Sequence, residues 1–217
     1  LSLSIFNIKV FGYSKNNNEE ISFNHGVASG DPTSNKIILW TKVSKASNKP
    51  INVSWQVSDK KNFLNIINSG TIKSYSYNDF SVKVDAKIPK EYCGNEIYYR
   101  FFVNNTFSII GTTKTLPIND PSKFNIAICS CSNYPAGFFN AYKEIANDNS
   151  IDLVLHLGDY LYEYDKDGYA SEDSEKLNRV VDPIHEIVTL DDYRKRHALY
   201  KTDKDLQLLH SSKAMVA

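Results

Sequence analysis

The sequence predicts an all-β unit followed by the start of an α/β unit, and three observations carry that reading. Residues 21–113 are a series of short runs rich in Val, Ile, Tyr, Phe and Trp, separated by clusters of turn-forming residues. The stretch "TLPINDPSK", 115–123, then has two prolines and no periodicity, as a linker would. Beyond it the rhythm becomes strand, helix, strand, which begins an α/β layer.

The β runs are, in order, "ISFNHGV", "KIILWTK", "INVSWQV", "SGTIK", "FSVKVDA", "EIYYRFFV" and "FSIIGTT", with turn signals such as "SGDPTSN", "SNKP", "SDKKN" and "YCGNE" between them. Seven short strands at this spacing predict a β-sandwich of the immunoglobulin or fibronectin type over 21–114. After the linker, "FNIAICSCS" reads as a strand. "AGFFNAYKEIAND" has helical spacing, with Phe138, Ala141, Tyr142 and Ile145 on one side. "IDLVLHLGD" is a continuous apolar strand of the kind buried on both faces of a parallel sheet. "TLDDYRKRHALYKTD" predicts a further helix, with Thr189 as N-cap and Asp192 three residues on in a capping-box arrangement. Between these, 165–188 has no clear period and reads as a long insertion loop. The second unit is thus expected over 122–217, and the two units are expected to have separate sheets.

Composition narrows the function. The 217 residues carry 25 basic and 25 acidic side chains, for a formal net charge of zero, and no run of like charge marks a nucleic-acid or membrane-surface partner. No stretch is long and apolar enough to span a bilayer. Cys93, Cys129 and Cys131 are an odd count without regular spacing, which argues against a disulfide framework. The opening "LSLSIFNIKVFGYS" reads as either the end of a signal peptide or a first strand. The absence of an initiating Met and of any terminal signal in "SSKAMVA" leads us to expect a chain cut at both ends.

The chemistry is expected where strands end. In open α/β sheets ligands sit beyond the carboxyl ends of the strands, which singles out "CSCSNY" and "LGDYLYEY" as adjacent turns. Gly158 permits a sharp turn, and Asp159 can aim its carboxylate into the crevice. Metal-dependent phosphoesterases use such a turn as Gly-Asp-x-x-Asp, but here the last position is Tyr162. A phenol is a poor ligand for zinc or magnesium because its proton must first leave, from a pKa of about 10. A hard ferric ion can displace that proton, so the tyrosine points to Fe(III). Cys131, at the end of the neighbouring strand, can add a thiolate. His156 reads as a core histidine that supports the site from behind. Cys93 and Cys129 read as core residues, and Asp31 in "SGDPTS" as a turn. His185, His197 and His210 receive no role.

Taken together, "FNHGVASGDPTSNKIILWTK", "YYRFFV", "CSCSNYPAGFFNAY", "DLVLHLGDYLYEY" and "TLDDYRKRHALYKTDKDLQLLH" resemble the PhoD-like alkaline phosphatase and phosphodiesterase family, in that family's order and through nearly the whole chain. The resemblance implies a β-sandwich joined to a calcineurin-like metallophosphatase domain, and a secreted or periplasmic enzyme that releases phosphate from small-molecule esters. It also implies Fe(III) with Ca2+ as cofactors. Position by position it places metal ligands at Cys131, Asp159 and Tyr162, and a metal-bound hydroxide is the expected nucleophile. Ser132 departs from the glutamine usual in the family after the cysteine, keeping a polar group with less reach. The family's next motif, Trp-Asp-Asp-His-Glu, does not occur, so the expectation is an N-terminal portion, monomeric and inactive alone, with the remaining ligands absent. A non-catalytic β-sandwich binding module is the alternative. A Cys-His hydrolase using Cys131 and His156 is the weakest reading, since no residue that would orient the histidine is recognisable.

Overall fold

The computed structural model describes residues 20–217, so the opening segment read as a signal-peptide end or first strand lies outside the described residues. Eleven strands and three α-helices follow one another in the described part: β1 (Val27–Gly30), β2 (Lys36–Lys42), β3 (Ile51–Ser58), β4 (Ile66–Ser74), β5 (Ser81–Lys87), β6 (Glu96–Val103), β7 (Thr106–Phe107), β8 (Gly111–Lys114), β9 (Ile126–Cys129), α1 (Asn140–Asn147), β10 (Leu153–His156), α2 (Leu190–Tyr200), α3 (Lys204–Ser212) and β11 (Ala214–Val216).

The first part has two layers. Strands β5, β2 and β1 pair antiparallel in one sheet, and β4, β3, β6 and β7 form the other, with β8 also paired to β6. Period-two alternation turns Ile37 and Leu39 of β2, and Val82, Val84 and Ala86 of β5, toward Val53, Val57, Ile97, Tyr99 and Phe101 of the opposite layer. Burying each of the larger aliphatic side chains contributes about 1.5–3 kcal/mol. A second core lies beyond the linker, where α1 and α3 cover one face of β9, β10 and β11 through Tyr134, Phe139, Tyr142, Val154, Tyr200, Leu206, Leu209 and Met215.

The expectation of separate sheets is overturned. Strand β11 pairs in parallel with both β1 and β10, so the larger sheet runs β5-β2-β1-β11-β10-β9 through both parts of the molecule. The cause is local and steric. A Cβ on Gly30 would meet the Met215 carbonyl oxygen at 2.5 Å, so only glycine lets β1 lie this close to β11. Alternation along β11 then sends Ala214 into the first core and Met215 into the second.

Several element bounds also differ from the sequence reading. Residues 21–26 are not a strand: Ser22 makes an isolated bridge to Ser44, and β1 begins at Val27. "FSIIGTT" divides into β7 and β8. Helix α1 starts only at Asn140, because a 3-10 turn at Tyr134–Ala136 precedes it, and its buried face is Phe139, Tyr142 and Ala146, while Phe138 and Ala141 are exposed. The 189–203 segment does form a helix, α2, with Thr189 capping it. The Thr189 hydroxyl accepts from Asp192 N, and the Asp192 carboxylate accepts from Thr189 N at 3.0 Å. Residues 165–188 contain turns and bends only. Among the described residues, no helix is long and apolar enough to cross a membrane.

Candidate metal centre

The site is built by two parallel strands whose ends coincide. Strands β9 and β10 pair with His156 opposite Cys129, so the chain leaves both strands at the same level. The two turns are then stitched together: Cys131 N donates to Gly158 O at 3.3 Å and Ser132 N to Asp159 O at 2.8 Å. Cys131 has φ 58°, Gly158 φ 110° and Asp159 φ 53°, all in the left-handed region. Gly158 bears this without cost, whereas a cysteine there is strained, and such strain gathers at functional turns.

These turns bring Cys131, Asp159 and Tyr162 together. Tyr162 Oη donates to Asp159 Oδ2 at 3.0 Å, and Cys131 Sγ lies 3.6 Å from the same oxygen. A hydrogen bond with Cys131, followed by burial and the Asp159 carboxylate, holds the Tyr162 phenol well above its usual pKa. The Tyr164 ring stacks on that of Tyr162, with centroids 5.7 Å apart. No group of three His, Cys, Asp or Glu suited to a metal occurs among the described residues. The third group of this cluster is the Tyr162 phenol.

Beneath the turns lies a buried polar knot. His156 is 3% exposed, and its Nδ1 accepts from Gly158 N at 3.3 Å. Its Nε2 lies 3.1 Å from Ser132 Oγ and 3.0 Å from Tyr142 Oη, and the Ser132 and Tyr142 hydroxyls are hydrogen-bonded to each other. Burial lowers the His156 pKa despite the Asp159 charge, so the ring is neutral at pH 7 and holds its proton on Nε2. Burial likewise pushes the Tyr142 phenol up to about 12, against the opposing hydrogen bond from Ser132. Cys131 and His156 therefore face different partners, and no Cys131–His156 pair forms among the described residues.

A crevice of about 460 Å³ opens between the end of β9 and α1, bordered by Cys131, Ser132, Asn133, Phe138 and Ile128. Cys93 and Cys129 are half-buried free thiols, and burial raises the pKa of Cys129. Asp31 is exposed, in an irregular turn.

The sequence reading missed two arginines. Arg196 of α2, 1% exposed, donates to the carbonyls of Tyr162 at 2.6 Å, Asp182 at 3.2 Å and Pro183 at 2.9 Å, so it ties the Tyr162 turn to the insertion. Arg179 pairs with Asp203 at 2.7 Å, donates to Tyr134 O and lies over the Tyr134 ring at 3.8 Å. One signal was present: Asp192, Arg196 and Tyr200 recur at helical spacing along α2 and form its buried face.

Comparison with known proteins agrees with this architecture. Residues 126–217 match the model of the PhoD-like phosphatase family, and residues 10–117 match the model described as PhoD-like phosphatase, N-terminal domain. Alkaline phosphatase D of Bacillus subtilis (strain 168) is 37% identical over 201 residues, which are 88% of this chain and 33% of the relative. A solved structure titled "Structure of PhoD" superposes with a TM-score of 0.80 at 35% identity, covering 90% of this chain and 38% of that one. The chain thus spans about a third of the length of the curated relative it matches. The motifs at the two strand ends, the paired family models and the superposition lead to one conclusion: the chain belongs to the PhoD-like phosphatase family.

Proposed function

We propose that this chain supplies part of the cation-holding machinery of a phosphoric ester hydrolase of the alkaline phosphatase D type. The convergence of Cys131 Sγ, the Asp159 carboxylate and the Tyr162 phenol at the ends of two neighbouring parallel strands carries the reading. Ionised, these donors bring three negative charges, which suits a hard trivalent cation, Fe(III), better than a lone divalent one. Ca2+ would be the second cation. We further read residues 21–114 as an immunoglobulin-type sandwich and 122–217 as the start of a calcineurin-like metallophosphatase domain.

Cys131, Asp159 and Tyr162 would hold the cation, which would supply Lewis acidity toward a phosphate oxygen. The chain's own residues do the rest. Asp159 accepts from Tyr162 and orients it, while Arg196 fixes the carbonyl of Tyr162 and Ser132 N that of Asp159. Phe138 and Ile128 border the crevice beside Cys131 and would give the organic part of an ester an apolar surface to lie against.

The test is iron loading of the purified protein, with metal analysis and visible spectroscopy. The parent protein should bind Fe(III) and show a tyrosinate-to-iron charge-transfer band. Tyr162→Phe should lose the band while keeping the fold. Asp159→Asn should weaken iron binding more, by over about 100-fold, because a lost carboxylate leaves the cation under-neutralised. A band that persists in Tyr162→Phe would show that the ligand has been misplaced. Because three donors cannot hold two cations in register, the 217 residues alone should hydrolyse p-nitrophenyl phosphate little or not at all.

A further inference from the structure

Cys131 and Asp159, the two candidate ligands that stand directly at the strand ends, both have left-handed backbone, at φ 58° and 53°. For residues with a side chain that conformation is strained and persists only where the surroundings over-determine it. One restraint is the backbone pairing of the two turns, Cys131 N to Gly158 O and Ser132 N to Asp159 O. The other is made of side chains. His156 Nδ1 accepts from Gly158 N, one residue before Asp159, and His156 Nε2 lies 3.1 Å from Oγ of Ser132, one residue after Cys131. Tyr142 Oη closes the group, 3.0 Å from the same Nε2 and hydrogen-bonded to the Ser132 hydroxyl. All three side chains are buried, at 3–5% exposure.

The ring proton decides what this group can do. Because Nδ1 accepts from Gly158 N, the proton sits on Nε2 and is donated to the Ser132 and Tyr142 oxygens. A serine facing that tautomer has no basic nitrogen to take its proton, so Ser132 is not an activated nucleophile. The group holds and does not react. Tyr142 is anchored apart from the turns: it belongs to α1, which carries no candidate ligand, and its ring packs on that of Phe139 with centroids 5.4 Å apart. Its hydroxyl therefore ties both turns to the helix.

We propose that Tyr142 is a positioning residue for the metal centre. Through Ser132 and His156 it keeps the Cys131 and Asp159 turns in their left-handed conformation, so that Cys131 Sγ and Asp159 Oδ2 stay 3.6 Å apart. The inference rests on reading these two residues as ligands. Removing the Tyr142 hydroxyl leaves the ring in place but cuts the link from helix to turns, and the strained turns relax and carry thiol and carboxylate apart. A hydroxyl that served the core alone would change stability and leave the ligand geometry as it is.

Tyr142→Phe, Ser132→Ala and their double variant test this against the parent. Thr113→Val, which loses a buried hydrogen bond from Ser29 at 2.8 Å, is the control. In metal-free protein, amide hydrogen exchange followed by NMR should quicken about tenfold or more at Ser132 and Gly158 in Tyr142→Phe, beyond any change along β9 and β10, and should not do so in Thr113→Val. In iron-loaded protein, Tyr142→Phe should weaken Fe(III) binding about 10–100-fold and shift the charge-transfer band without abolishing it. The double variant should bind no more weakly than the weaker single, because the three side chains act as one unit, and Thr113→Val should bind as the parent does. Should Tyr142→Phe not fold, Ser132→Ala carries the same readouts, with exchange followed at Gly158. Exchange at Ser132 and Gly158 that is unchanged, or changed only in step with β9 and β10, would overturn the proposal. So would parent-like iron affinity in Tyr142→Phe, or complete loss of the band with iron retained, which would make Tyr142 a ligand. A parent protein that bound no iron would sink the ligand reading, and the exchange measurement would still decide whether Tyr142 holds the turns.

Discussion

Asp159 and Lys201 are two ways of placing a charge. Asp159 stands at a strand end, where its carboxylate gathers a phenol and a thiol. Lys201 is enclosed by aromatic rings and ionises against burial alone, which lowers its pKa from 10.5 to about 7. The folded state therefore binds less proton than the unfolded chain between these two values, and stability rises with pH through that window. The cost of the buried charge is fully present below about pH 7. Lys201→Met should accordingly be more stable than the parent at pH 6 to 7. The difference should shrink toward pH 10 at up to about 1.4 kcal/mol per pH unit, read by urea denaturation across pH. His197 and His25, lowered by burial to about 3 and about 4, titrate outside that window. A pH-independent difference would mean that Lys201 is not buried as a neutral amine.

Among the elements, α2 shows most clearly how local sequence becomes site geometry. Its N-terminus is fixed by the Thr189–Asp192 capping box, and one turn further on Arg196 reaches the Tyr162 carbonyl. Start, face and clamp are thus linked: a helix that frayed at Thr189 would loosen the aim of Arg196. Thr189→Ala should cost about 1 kcal/mol in urea denaturation. It should also weaken iron binding, because the ligand loop loses part of its anchor. A stability loss with iron affinity unchanged would separate α2 from the site. The capping box was legible because it is written in four consecutive residues. The clamp was not, since the partners of Arg196 are carbonyls, which every residue has.

At the scale of the whole molecule, β11 is the joint. Three residues complete a six-stranded sheet and send one side chain into each core. Gly30→Ala should therefore disturb both parts, because its Cβ would press on the Met215 carbonyl and force β1 from β11. A loss of about 1–3 kcal/mol is expected, with the single thermal transition broadening as the two cores uncouple. An unaltered melting curve would mean that β1 and β11 do not lie at this spacing.

By itself the sequence determined the run of short strands ahead of the linker, the strand, helix and strand that follow it, the capped start of α2 and the three residues that gather at the strand ends. Each of these depends on spacing within a few residues, or on glycine and tyrosine chemistry that can be read in place. Tertiary structure alone decided that β11 joins β1 to β10 and that Phe139, not Phe138, faces the core. It also decided that Ser132, Tyr142 and His156 form one buried knot. The reason is physical: these contacts join positions far apart in the chain, and burial, steric approach and unpaired hydrogen bonds exist only once the chain has closed on itself.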